Sequence, residues 1–368
     1  MFLLFSCIVI LYAFVILYAL YYWQKSVTHI QLQHSQTVCS IIIAARNEEQ
    51  TITQTISDLL RQTYPHKNIQ IIIGNDHSTD NTYSIVQTFA QNNSNIHIYS
   101  MPDYIEGKKQ TIQYILQYAT GEYILFTDAD CSIPPTWVET YMAYAQKFKG
   151  HFYFGNVSHD SPHTLLQSFF TLDFLAIVGV QGGLALAKRA FSCNAANMCI
   201  SRELYTSYYN TNTRYSSGDD VFLLHAAKQI YPNDIYFIKH NAATITTKAP
   251  KSASEFIQQR IRWSSKATGY KDTDAICVSI IVFAMSFTIC CTTLFTLIWS
   301  QFLPTLLILL LSKTLIDSIF FYKVLQHFNT IKLIWLVPIF EPLYVFYITF
   351  IPIFAILIPI QWKQRTIQ

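Results

Sequence analysis

The chain has 368 residues, 51% of them hydrophobic and only 13% charged, against roughly 25% charged in an ordinary soluble domain. A formal net charge of +3, with no basic cluster, excludes a nucleic-acid partner. The eight cysteines are scattered, with no CxxC pair and no metal-ligand spacing, which excludes a disulfide framework and predicts reduced thiols.

The charge deficit is concentrated at the two ends. Residues 2–22 carry no charge and are long enough to span a bilayer. They lack the basic start and small-residue cleavage site of a signal peptide, so an uncleaved anchor is expected over residues 1–24. Lys25 follows directly, and most Lys and Arg lie in the next domain. The positive-inside bias then predicts a cytoplasmic domain.

Apolar runs of strand length alternate with amphipathic helices from residue 38 onward. Strands are expected at 38–45, 69–74, 96–100 and 122–127, with helices at 49–62, 80–91 and 108–119. Four alternations predict an α/β fold, a mainly parallel Rossmann-like sheet covered on both faces. Ligands of such sheets bind beyond the carboxyl ends of the strands. The segments "ARNEE", "NDHSTD" and "TDADCS" fall there. Residues 163–187 are apolar with one charge, Asp173; three glycines and a poor stripe favour a helix along a membrane surface or under the site over a crossing. Helices are also expected at 219–230 and 252–266, the latter with Ser252 and Glu255 in capping-box relation. Further uncharged runs cover about 275–299, 301–322 (interrupted by Lys313 and Asp317) and 333–360 (interrupted by Pro338, Glu341 and Pro342). The expected organisation is an anchor at 1–24, a domain at 38–270 with a nucleotide half at 38–131 and an acceptor half at 132–270, a membrane region at 275–361, and a basic tail at 362–368.

Asp128 and Asp130, just past a strand end, offer the oxygen ligands that Mg²⁺ or Mn²⁺ prefers, although aspartates there also cap helices. Asp76 follows the second strand at the same sheet edge and suits a ribose or base contact, or a turn. Lys108 opens the third helix, facing a nucleotide or water. The pair Asp219–Asp220 in "SGDD" offers a general base or an acidic helix start. In "QQRIRW", Gln259 and Arg262 lie one helical turn apart beside Trp263; an Arg fork suits a pyrophosphate, while Arg and Trp also anchor membrane interfaces.

In this order and spacing the motifs "AARNEE", "NDHSTD", "GKK", "TDAD", "FSCNAAN", "SGDD" and "QQRIRW", between about Ser40 and Trp263, resemble the membrane-bound glycosyltransferases of family two. That group includes cellulose, hyaluronan and poly-N-acetylglucosamine synthases. "QWKQR" at Gln361 to Arg365 resembles the tail motif of bacterial relatives. The resemblance implies a GT-A fold flanked by transmembrane helices, a nucleotide-sugar donor (most often a UDP-sugar), and Mg²⁺ or Mn²⁺. Asp76 and Lys108 would contact the nucleoside, and Asp128 and Asp130 would form the DxD that binds the metal-bridged diphosphate. Asp220 would be the base, with Asp219 in place of the usual Glu; Gln259, Arg262 and Trp263 would be the QxxRW. Cys193 to Asn197 would line the acceptor side. Asn75 replaces one carboxylate of the usual pair before Asp76. The implied activity is inverting transfer to a lipid or glycan acceptor in envelope or exopolysaccharide synthesis, at the inner membrane. A processive synthase and an inactive membrane scaffold are the alternatives.

Overall fold

The computed structural model describes residues 2–25, 36–208, 219–357, 360–362 and 365–367. In chain order the elements are α1 (Phe2–Lys25), β1 (Cys39–Ala45), α2 (Ile52–Leu60), β2 (Ile69–Asn75), α3 (Thr82–Asn92), β3 (Ile96–Ser100), α4 (Lys108–Leu116), β4 (Tyr123–Phe126), α5 (Trp137–Phe148), β5 (Phe152–Gly155) and β6 (Val157–His159). There follow α6 (Leu165–Leu186), β7 (Met198–Ser201), α7 (Arg202–Tyr208), α8 (Asp219–Ile230), β8 (Ile235–Ile238), β9 (Ile245–Thr247), α9 (Ala253–Ser265), α10 (Thr273–Ile298), α11 (Leu303–His327), α12 (Val337–Leu357), β10 (Ile360–Trp362) and β11 (Arg365–Ile367).

These elements form two compact units. The first comprises residues 27–160 and 192–248 and holds a seven-stranded sheet in the order β3-β2-β1-β4-β7-β5-β8. All neighbours pair in parallel except β7, which runs antiparallel to β4 and β5. β1 sits at the centre of the nucleotide half, with Ile41 opposite Ile71 on one side and Leu125 on the other. Its Ile41, Ile42 and Ile43 are buried without alternation, as expected of a strand covered on both faces. The carboxyl ends of β1, β2, β3, β4, β5 and β8 therefore share one edge.

The second unit comprises residues 1–26, 161–191 and 249–368. It gathers α1, α6, α9 and α10–α12. Five helices here (α1, α6, α10, α11 and α12) are long and apolar enough to cross a membrane. Small residues set their approach: a Cβ at Gly183 would collide with the Ala19 backbone, and one at Gly179 would lie 2.8 Å from Phe320 and Val324. The charges inside the apolar runs are matched. Lys313 is fully buried and ion-paired with Asp317 at 2.6 Å and with Glu341, while the Tyr12 hydroxyl donates to Asp317 Oδ1 at 2.6 Å. Asp173 of α6 pairs with Arg260 of α9, whose guanidinium stacks on Phe256 and Trp263. Ser252 caps α9 by accepting from Glu255 N at 3.2 Å, and the Glu255 carboxylate returns to Lys251 N at 2.8 Å. That is the expected capping box with its return bond displaced by one residue. The side chains of the "QWKQR" tail lie outside the described residues.

Candidate active site

Two loops at the carboxyl edge are laced together before any ligand is considered. After β1, Asn47 N donates to Ser78 Oγ at 3.2 Å, Glu48 N to Thr82 Oγ1 at 2.7 Å and Glu49 N to Asp80 Oδ2 at 3.1 Å. In return Thr79 N donates to Asn47 Oδ1 at 2.8 Å and Asn81 N to Glu49 Oε2 at 3.1 Å. Asp80 also accepts from Thr82 N at 3.0 Å, which makes it a loop fastener rather than a ligand contact. Asn47 and His77 sit at positive φ, 54° and 51°, a region that non-glycine residues enter seldom and that recurs at functional loops.

Asp76 lies beneath this lacing, 1% exposed. Arg46 Nη1 donates to the Asp76 carbonyl at 2.9 Å, and Gly107 N donates to Asp76 Oδ2 at 3.2 Å. Asp76 is thereby joined to the loop that launches α4, where Gly107 takes φ 87° and Lys108 follows. The Lys108 ammonium is ion-paired with Asp128. Partial loss of water works against that half-exposed ammonium, but Asp128, then Asp220 and Asp130, outweigh the loss and raise its pKa. Asp130 shows the opposite strain. Burial, then the charges of Asp128 and Glu48, push its carboxyl up to about 6, against the pull of Lys108.

The backbone around Asp128 and Asp130 is held from below by α2. Thr55 Oγ1 lies 2.9 Å from the carbonyls of both Ala129 and Cys131. The buried Asp58 accepts from Ile133 N at 3.0 Å and from Ser132 Oγ at 3.3 Å. Asp220, in the first turn of α8, accepts from Ala195 N at 3.2 Å and from Val221 N at 2.9 Å. The Asp219 side chain and the preceding Ser217 and Gly218 lie outside the described residues. Asn197 of "FSCNAAN" faces the core rather than an acceptor. It is fully buried, accepts from Trp137 Nε1 at 2.8 Å and Tyr141 OH at 2.7 Å, and donates to the carbonyls of Asn156 and Ala243.

Asp76, Lys108, Asp128, Asp130 and Asp220 thus belong to one unit; Asp128, Asp130 and Asp220 all act on the Lys108 ammonium, and Asp128 acts on Asp130. Gln259, Arg262 and Trp263 belong to the other unit, on α9; there Gln259 accepts from Arg260 Nη1 at 2.6 Å and Trp263 packs near Phe174. The sequence reading placed Arg46 and Glu48 at this edge within "ARNEE" without giving them roles, and it missed Thr55 and Asp58, which position the site.

The donor set fits a hard divalent cation. Two partly exposed carboxylates one residue apart repel each other, and a lysine ammonium stands where positive charge is wanted. Among the described residues no group of three or more His, Cys, Asp or Glu side chains is placed to hold a metal. The remaining ligands would come from substrate phosphate and water, the usual arrangement for Mg²⁺.

A mostly parallel α/β sheet with these carboxylates at its carboxyl edge is of GT-A type. A mannosyltransferase from Pyrobaculum calidifontis, solved in complex with GDP-Man and Mn²⁺, shares the fold over 92% of this chain and 99% of its own, at TM-score 0.55 and 17% identity. Residues 40–175 match the family described as Glycosyl transferase family 2, and the chain carries a family two glycosyltransferase domain. Over 101 residues it is 40% identical to the UDP-Glc:alpha-D-GlcNAc-diphosphoundecaprenol beta-1,3-glucosyltransferase WfaP of Escherichia coli, covering 27% of this chain and 37% of that one. Over 107 residues it is 34% identical to the poly-beta-1,6-N-acetyl-D-glucosamine synthase of Staphylococcus epidermidis, covering 28% and 24%. The matched segments span well under half the length of these relatives.

Proposed function

We propose that the chain is a membrane-bound, inverting glycosyltransferase that moves a sugar from a nucleotide-sugar, a UDP-sugar in the first instance, to a hydroxyl of a lipid-linked or glycan acceptor. The observation that carries this reading is the charge constellation of Lys108, Asp128, Asp130 and Asp220 at the carboxyl edge of the sheet. Asp220 takes the proton of the acceptor hydroxyl as its oxygen attacks the anomeric carbon. The bond from that carbon to the diphosphate breaks on the opposite face, and the nucleoside diphosphate leaves with the electron pair. Backbone N–H groups of Ala195 and Val221 orient the Asp220 carboxylate, which keeps lone pairs free for the incoming proton. Lys108 meets the charge developing on the departing diphosphate, and Asp76 holds the nucleoside end. Mg²⁺ or Mn²⁺ on Asp128 and Asp130, when bound, supplies Lewis-acid neutralisation of that diphosphate. Gln259, Arg262 and Trp263 are assigned to the diphosphate and the acceptor end.

The hydrophobic helices support a multi-pass protein of the inner membrane with its catalytic unit in the cytoplasm. α6 is a separate case, because β6 before it and β7 after it belong to the same unit. A full crossing would part them across the bilayer, so α6 runs along the membrane. The small number of crossing helices favours one or a few additions over a processive synthase, and product mass from the purified enzyme separates the two. The decisive test is Asp220→Asn assayed with Mn²⁺ and a panel of nucleotide-sugars. Donor binding should persist and transfer should fall by several orders of magnitude; unchanged turnover removes Asp220 from the base role.

A further inference from the structure

We infer that the cavity among the hydrophobic helices houses the hydrocarbon chain of a lipid-linked acceptor. This inference rests on the glycosyltransferase reading above and narrows its acceptor to a lipid. The cavity encloses about 560 Å³, within the roughly 300–1,000 Å³ of small-ligand sites. Five helices each contribute an apolar wall residue: Ile16 of α1, Ile177 of α6, Phe283 of α10, Phe320 of α11 and Ile348 of α12. Trp263 of α9 completes the wall.

The charges that reach this wall are already matched, and that selects the occupant. Arg260 is the one Lys or Arg among the described lining residues, and Asp173 holds its guanidinium. Asp317 and Glu341 also line the cavity, and both are engaged by the buried Lys313. A phosphate would find no uncommitted cation here and would face carboxylates, so the headgroup stays outside. A glycan would leave most of its hydroxyls unpaired against Ile, Val and Phe side chains. A hydrocarbon chain asks for no such partners and is stabilised in proportion to the surface it removes from water.

The choice of an acceptor lipid over a bilayer phospholipid rests on α9. The helix that carries Gln259, Arg262 and Trp263 presents Trp263 to the cavity, and the adjoining Arg260 both lines the cavity and donates to Gln259 at 2.6 Å. A chain lying in the cavity therefore touches the helix assigned to the acceptor end, as a substrate must and a bulk lipid need not.

The test uses the full chain in nanodiscs of phosphatidylethanolamine and phosphatidylglycerol. The probe is a polyprenyl diphosphate sugar carrying a diazirine on its chain; a diazirine phospholipid is the control. Irradiation of the unmutated protein should label α6 and α12 peptides with the polyprenyl probe, and excess unlabelled polyprenyl lipid should compete. Ala176→Trp and Ile177→Trp, which fill the cavity, should cut both labelling and transfer to the probe at least ten-fold while nucleotide binding stays within two-fold. Equal labelling by the phospholipid, or full transfer to the probe by folded cavity-filling variants, overturns the inference. Loss of nucleotide binding in the unmutated protein would instead overturn the glycosyltransferase reading beneath it. Because the labelling is read on the unmutated chain, a variant that fails to fold does not blunt the test.

Discussion

Lys108→Met separates the two demands placed on the nucleotide end of the site. The ammonium rests on Asp128, with 37% of the lysine and 33% of the aspartate side chain exposed. Solvent screens a pair this open, so its worth is roughly 0.5–1 kcal/mol. Removing the ammonium takes away a competitor for Asp128 and leaves Asp128, Asp130 and Asp220 with less positive charge beside them. Mn²⁺ alone should then bind about two- to five-fold more tightly. The nucleotide responds in the opposite sense, because a diphosphate loses a charge-assisted contact worth roughly 1.5–3 kcal/mol. UDP at saturating Mn²⁺ should bind about ten-fold more weakly or worse. Titration calorimetry on the detergent-solubilised full chain measures both, and Lys108→Arg should recover most of the UDP affinity. Weaker Mn²⁺ binding in Lys108→Met, or unchanged UDP binding, would refute the assignment of Lys108 as a cation that pairs with Asp128 and serves the diphosphate.

Asn197→Ala should destabilise the catalytic unit by about 2–4 kcal/mol, since it leaves the Trp137 and Tyr141 donors without their acceptor in a buried site; denaturant unfolding checks this, and a loss of transfer without a loss of stability would return Asn197 to the acceptor side. Lys239, at the carboxyl end of β8, has its pKa lowered by burial to about 8. The unfolded chain therefore holds the extra proton between about pH 8 and the ordinary lysine range near 10.4, so this residue weakens the fold below pH 8 and ceases to do so as pH rises through that window. Lys239→Met should raise the melting temperature most at pH 7, by an amount corresponding to about 1–2 kcal/mol, and the gain should fade above roughly pH 10; a gain independent of pH would show that packing and not charge is responsible.

The nucleotide half was legible because its strands are buried on both faces and read as continuous apolar runs, such as "IIIAA" and "IQIII", each ending in polar residues. Helix α8 begins and ends where its acidic start and apolar stripe predict, Asp219 to Ile230. The strands of the acceptor half were not legible. β5, β7 and β8 have four residues each, too short for periodicity to register, and the antiparallel hand of β7 has no local signature. Thr55 and Asn197 escaped for a related reason. A buried polar residue is informative only through its partners, and those lie 74 positions away for Ala129 and 60 for Trp137. Lys313 and Asp317 stood out inside an apolar run, yet nothing local told that Glu341, 28 residues further on, completes their pairing.

β4 and β5 touch only through β7, the strand wedged between them. The chain makes β4 and β5 first, then the 22-residue, mostly apolar helix α6, and only then β7. In biosynthetic terms the seam of that sheet cannot close until a long apolar helix has emerged and been set aside. Trimming the two termini would therefore leave an apolar helix in the middle of the sheet's sequence; removing it means replacing segment 161–191 by a polar linker that returns the chain to β7.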